Sequence, residues 1–180
     1  MLSLILRRVF YMYGIKIMFF KNRFLKRYIL EHLYGYYSRP RRVGWAGGAF
    51  FIVRKDVFAG EVFFDDKLFL FNEDVDFNLE VTKKGWEVWA YNDTKIVHLW
   101  HKSCCRDPAR VLLESYRSDL YYYKKHFGTG TRVIVKIILL AAILERLAIL
   151  NILRIFTRKD QLIGKINAHL AAWKLVKKYK

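Results

Sequence analysis

Four carboxylates, Asp65, Asp66, Glu73 and Asp74, fall within ten residues of the segment FDDKLFLFNEDVDF (Phe64–Phe77), and Asp76 follows. Acids clustered in this way suit proton abstraction. Inverting sugar transfer needs one carboxylate to take the proton of an acceptor hydroxyl as its oxygen attacks an anomeric carbon. Neighbouring acids or burial lift such a group toward the pKa the task requires. The same acids also have a use without chemistry. In a first helical turn each stabilises the helix dipole by about 0.3–1 kcal/mol, and that placement lowers the pKa, which opposes use as a base. Asp74-Val75-Asp76 has the form of a metal-binding Asp-x-Asp. On a helix, however, the two side chains point roughly 200° apart and do not readily hold one ion. The expectation is that Asp74 projects into a cleft while Asp76 caps or faces elsewhere.

The elements that must position these acids are legible at their ends. Asn72 stands where an N-cap would, Glu73, Asp74 and Asp76 fill a first turn, Lys83 and Lys84 a last turn, and Gly85 a C′ position. This predicts a helix of about three turns in which Val75, Leu79 and Thr82 share a face. Upstream, Ser38–Arg42 reads as a linker and Ala49–Val53 (AFFIV) as a short buried strand. Downstream, Trp86–Tyr91 and Thr94–Trp100 read as two strands joined at Asn92-Asp93. Asp107-Pro108 opens a helix that stops at Gly128, its last turn carrying Lys124, Lys125 and His126 as the dipole favours. Residues 132–158 form a further helix. There Arg132, Lys136, Arg146, Asn151, Arg154 and Arg158 fall in one arc of roughly 140°, and the rest is apolar apart from Glu145. A basic helix near Gln161–Tyr179 follows.

The 180 residues are 54% hydrophobic and 17% aromatic, enough for a packed core and unlike a disordered chain. The net charge of +17 is unevenly spread. Residues 1–42 hold ten Lys/Arg against one acid, residues 129–180 eleven against two, and residues 43–128 twelve against thirteen. A near-neutral centre therefore sits between basic ends, the distribution expected of a chain that meets a polyanionic surface. Cys104 and Cys105 are adjacent and form no disulfide framework, so a reducing compartment fits. The N-terminus lacks the order of a signal peptide. The windows Val9–Phe20 and Val133–Leu144 are about twelve residues long, short of the about 20 a span needs.

Several blocks resemble the family 2 glycosyltransferases of GT-A type, in order and with similar spacing. VGWAGGAFFIVRKDVF (Val43–Phe58) is similar to the family segment in which a Trp precedes a Gly-Ala strand. FDDKLFLFNEDVDF resembles the following block with its Glu-Asp pair, and KKGWEVWAYNDTKIVHLWHKS (Lys83–Ser103) the one ending in a His with a Ser five residues on. Tyr122–Gly128 (YYKKHFG) is similar to the family's Tyr-Lys-His-Gly ending, and Ser3–Arg42 to the basic segment of rhamnosyltransferase-like members. Two positions depart from the pattern: Gly44 stands where the family usually has Asp, and Tyr91-Asn92 where it often has Pro.

The resemblance implies an α/β chain holding the acceptor-side half of a GT-A domain at 43–128. A basic connecting segment would precede it at 1–42, and basic amphipathic helices would follow at 129–180. It implies Asp74 as general base with Glu73 beside it, Trp45, Gly48 and Ala49 against the donor sugar, and His98 near the donor diphosphate and its metal. A strand-end histidine bonded in the core is the alternative for His98. The implied partners are a nucleotide-sugar, rhamnose being the favoured sugar, a lipid-linked or cell-surface glycan, and Mg²⁺ or Mn²⁺. The family's nucleotide-binding half, with its Asp-x-Asp, should precede residue 1. The chain is thus expected to be a fragment or truncated product inactive alone, or to be completed by a separate polypeptide. The expected location is cytoplasmic, peripheral on the anionic inner face of the cell membrane, without nucleic acid. A non-catalytic basic module binding membrane or nucleic acid is the rival reading. It explains the charge but not the ordered blocks.

Overall fold

A computed structural model describes residues 39–91, 93–94, 96–98, 107–157 and 160–179. Residues 1–38 of the expected basic connecting segment, and Cys104 and Cys105, lie outside these. The described chain is mixed α/β and mostly helical, with one two-stranded sheet.

Strand β1 (Arg41–Val43) pairs antiparallel with β2 (Val88–Ala90), Arg42 opposite Trp89. This corrects the reading of Ser38–Arg42 as linker alone. Ladder bonds come from the backbone, and the arginine side chains stay exposed at the edge. Arg42 forms an exposed ion pair with Glu87 at 3.0 Å. The expected strand Ala49–Val53 is not one. Among the described residues no strand lies beside it to accept its bonds. It still alternates as extended chain does: Phe51 and Val53 turn onto the core, whereas Ile52 is 89% exposed. The described residues of Thr94–Trp100 form no strand either.

Helix α1 (Lys55–Ala59) is short. Helix α2 (Glu73–Lys83) has the predicted extent. It ends in a Schellman motif: the Gly85 N–H donates to Thr82 O (3.0 Å) and the Trp86 N–H to Val81 O (3.2 Å). Gly85 takes φ +87°, where a side chain would be strained. Helix α3 (Pro108–Phe156) opens with Pro108 at its first position and the Asp107 carboxylate accepting from the Arg110 N–H. It breaks at Gly128, with φ 78° and ψ −178°, so that residues 108–127 and 129–156 are two helices meeting at that glycine. Helix α4 (Asp160–Lys178) folds back against the second of them.

Two apolar clusters hold α2 from opposite sides. Phe77 and Val81 pack with Val57 and Val62, and Phe64 stacks on Phe77 at a centroid distance of 4.4 Å. Val75 and Leu79 instead pack on a larger cluster that runs through Tyr116 and Leu120 to Leu139, Ile143, Ala172 and Val176. The first turn of α2 is therefore fixed between a loop layer and α3. Among the described residues no helix is long and apolar enough to cross a membrane.

Candidate active site

Helix α2 starts from an unusual turn. Phe71 and Asn72 both have positive φ, 66° and 63°, although neither is glycine. Such backbone costs about 1–3 kcal/mol per residue and persists only where the surroundings hold it. Here α3 holds it: Ser118 Oγ donates to Leu70 O (2.7 Å), and the buried Asn72 Nδ2 donates to Asp119 Oδ1 (2.8 Å). Asn72 thus occupies the predicted N-cap position without capping through its side chain, which is committed to Asp119 instead.

The turn presents Glu73 and Asp74 at the positive end of α2. Asp74 Oδ2 accepts the Gly48 N–H at 3.0 Å and Oδ1 the Val75 N–H at 2.8 Å. Asn78 Nδ2 donates to Ala46 O (3.2 Å) and to Asp74 O (2.6 Å), pinning the loop after Trp45 to the helix. At Gly48 an added Cβ would stand 3.4 Å from the Asp74 Cβ. The chain thus brings Gly48 onto Asp74, with Trp45 half-buried one turn of loop away and Ala49 exposed beside them. Glu73 is partly buried, and its Oε2 has no hydrogen-bond partner. Burial pushes the Glu73 carboxyl above its ordinary value, aided by the Asp74 charge and opposed by its own backbone N–H. His98 is exposed on the stretch after β2, and its neighbours 99–106 lie outside the described residues.

Asp76 faces elsewhere, as the geometry of a helix requires. It is fully buried, with Oδ2 at 2.8 Å from Lys125 Nζ and Oδ1 at 2.6 Å from His126 Nε2. His126 Nδ1 lies 3.0 Å from Lys83 Nζ. An ammonium can only donate, so these partners fit the tautomer with its hydrogen on Nε2. Lys125 also reaches Asp65 Oδ2 (2.8 Å), which accepts from Tyr121 Oη (2.9 Å). Lys125 and His126 therefore do more than complement a helix dipole: they clamp α2 to α3. A sequence signal was present, since a Lys-His pair ends the helix that must pack against the acids of α2.

The cluster makes stability depend on pH. Burial raises Asp65, but Lys125, the Lys67 N–H and Tyr121 together hold it below 3.8. Burial lowers Lys125, but Asp65 and Asp76 outweigh it and lift the ammonium to about 12. The Asp65 contribution is present above its unfolded pKa and lost as pH falls through the depressed one. The Lys125 contribution is present below 10.5 and lost as pH rises toward about 12. Glu73 works the other way, because a raised carboxyl destabilises the fold once pH passes 4.5. In urea unfolding, Lys125→Met should therefore show a smaller alkaline fall in stability than the parent, the remainder coming from buried tyrosines such as Tyr122, which burial lifts to about 12. Glu73→Gln should be more stable than the parent at pH 7 and equal to it well below pH 4.5.

Among the described residues no three of His, Cys, Asp and Glu stand together as a metal ion would require.

No family model matches the chain, and no solved structure matches it. Two curated proteins do, the N-acetylglucosaminyl-diphospho-decaprenol L-rhamnosyltransferases of Mycobacterium tuberculosis strains CDC 1551 / Oshkosh and ATCC 25618 / H37Rv. Each is 32% identical over 89 residues, which are 49% of this chain and 29% of the relative. The chain has a glycosyltransferase as a relative. The aligned stretch spans less than a third of that relative's length.

Proposed function

We propose that this chain is the acceptor-side, C-terminal part of an inverting family 2 glycosyltransferase of GT-A type. The sugar is rhamnose, carried on a nucleotide, and the acceptor is a polyprenyl-diphosphate-linked glycan at the cytoplasmic face of the cell membrane. The observation that carries this is the 89-residue similarity to a rhamnosyltransferase.

In this reading the Asp74 carboxylate takes the proton of the acceptor hydroxyl. The hydroxyl oxygen bonds to the anomeric carbon from the face opposite the nucleotide, and the nucleoside diphosphate leaves with the bonding electron pair. The Gly48 N–H holds Asp74 in place, and glycine there lets the loop come close to the Asp74 side chain. Glu73, partly buried and with an unpartnered oxygen, can accept from a second hydroxyl of the acceptor while Asp74 takes the proton of the attacking one. Trp45 offers an apolar wall to the sugar, and His98 a nitrogen toward the diphosphate. A divalent ion, Mg²⁺ or Mn²⁺, would draw its main ligands from the nucleotide-binding half.

The exposure of Phe50 (56%) and Ile52 (89%) fits the same reading. They lie on an extended segment whose partner strands would belong to that half. The rival, a basic module without chemistry, accounts for the net charge but not for the similarity.

The experiment is a fusion of this chain behind the nucleotide-binding half of the mycobacterial relative. The fusion should transfer rhamnose from dTDP-rhamnose to N-acetylglucosaminyl-diphospho-polyprenol. By calorimetry, the 180-residue chain alone should show no micromolar affinity for dTDP- or UDP-sugars. A folded, donor-binding fusion that transfers nothing would overturn the proposal, as would micromolar donor binding by the chain alone.

A further inference from the structure

Helix 129–156 has two faces, and the structure turns them opposite to the simplest expectation. Val135, Leu139 and Ile143 are buried against Ala172 and Val176 of α4. At 100° per residue these three interleave with Arg132, Lys136 and Arg146 in one arc of about 100°. Arg132, Lys136 and Arg146 are thus directed toward α4, whereas Asn151 and Arg154, further along the same arc, are exposed. Lys136 Nζ donates to Tyr179 O at 3.1 Å, Arg132 Nη1 is buried, and the Arg146 charge, after burial itself, depresses the buried His169 of α4. The stems of these cations pack in the hairpin rather than lining an outer stripe.

The opposite arc is left open. Ile134 (58%), Ile137 (61%), Leu144 (53%), Ile152 (55%), Ile155 (79%) and Phe156 (78%) are exposed and share about 120° of the helix, with Ala141 and Ala148 between them. Glu145 is the one charged residue within that arc. From Ile134 to Phe156 the strip runs about 33 Å at 1.5 Å per residue. Exposed apolar patches of this extent mark interaction surfaces.

We propose that this strip is the membrane-facing surface of the protein, lying in the plane of an anionic bilayer with its side chains among the upper acyl chains. A wide exposed apolar arc, on a helix that among the described residues is not long and apolar enough to cross a membrane, suits a position in the plane of the bilayer. Charge selects the occupant. Residues 129–180 carry eleven Lys/Arg and two acids; Arg132, Lys136 and Arg146 are turned into the hairpin, but Arg154 is exposed, and on α4 the exposed Ile163 and Leu170 share an arc with the exposed Lys174 and Lys177. A second copy of the chain would bring two such basic hairpins face to face. An anionic lipid surface attracts them, each Lys or Arg near it adding to binding in a salt-dependent way. This extends the membrane placement in the proposed function, yet involves no sugar, so the two fail separately.

The test is flotation of the full chain with vesicles of phosphatidylglycerol and phosphatidylcholine, and with phosphatidylcholine alone, beside sedimentation velocity without lipid. The parent should float with the anionic vesicles, less so in high salt and weakly with the neutral ones. Carbonate should strip it. Ile137→Glu/Ile152→Glu should lower the bound fraction at least tenfold with unchanged helicity by circular dichroism. Ile52→Glu/Val97→Glu adds the same charge at other exposed apolar positions, each 89% exposed, and should float like the parent. Equal loss in both double variants, or no loss in the first, would overturn the proposal. So would a lipid-free dimer that Ile137→Glu/Ile152→Glu dissolves while flotation persists.

Discussion

Changing Asp74 to Asn in an enzyme completed with a nucleotide-binding half is expected to lower turnover about 10²–10⁴-fold, the usual range for loss of a general base. Donor affinity should stay nearly unchanged. The substitution is nearly isosteric, and the amide oxygen can still accept the Gly48 N–H that the carboxylate accepts at 3.0 Å, at the cost of the local bond from the Val75 N–H. The loop after Trp45 should therefore keep its place, and the melting temperature should fall by no more than the loss of that one hydrogen bond implies. What is removed is the lone pair that takes the acceptor proton. Single-turnover kinetics with saturating acceptor, together with donor calorimetry, separates the two quantities. Asp76→Asn, measured well below its melting temperature, should cost far less in turnover. Equal losses at the two positions would return Asp74-Val75-Asp76 to a metal-binding role and remove Asp74 as the base.

The parts of this site that depend on local chain chemistry are legible in the sequence. Gly85 at a C′ position and acids in a first turn delimit α2, and Gly128 ends a helix because it alone readily takes positive φ. The divergence of Asp74 and Asp76 follows from 3.6 residues per turn and holds. What depends on distant partners was not legible. Whether Ala49–Val53 becomes a strand is decided by what lies beside it, and its five residues carry no information about that. Asn72 has the composition of a cap but is diverted by Asp119, 47 positions away. Arg41 and Arg42 read as linker because side chains dominate the pattern, whereas strand pairing is made by the backbone.

The second half of α3 shows the limit most clearly. Its helical wheel is apolar nearly all round, so the sequence distinguishes a basic arc but not which arc faces protein. Burying Val135, Leu139 and Ile143 against α4 turns the stems of Arg132 and Lys136 inward and leaves a second apolar arc outside. Amphipathic patterning identifies a helix surface uniquely only when one face alone is apolar.

Replacing Asp76 with Ala is expected to cost about 3–5 kcal/mol of folding stability in the isolated chain, the range for breaking a buried ion pair by removing one partner. Asp76 is fully buried, and its two oxygens are engaged at 2.8 Å by Lys125 and at 2.6 Å by His126. Without the carboxylate, the Nε2–H of a nearly fully buried imidazole loses its acceptor. Lys125 retains Asp65 and keeps 27% of its side-chain surface exposed, so its share of the loss is partial and the lower end of the range applies. At about 2–4 °C per kcal/mol for a chain of this size, the melting temperature should fall by about 6–12 °C. In urea the midpoint should move with an unchanged slope, since the surface exposed on unfolding is the same. The triple change Asp76→Leu/Lys125→Met/His126→Leu should be more stable than Asp76→Ala alone, because it leaves no buried charge or ring donor stranded, although Asp65 and Tyr121 keep each other. A loss under about 1 kcal/mol for Asp76→Ala, the usual scale of an exposed pair, would mean that the clamp between α2 and α3 is not held by this carboxylate, and that the apolar contacts of Val75 and Leu79 alone fix the first turn that carries Asp74.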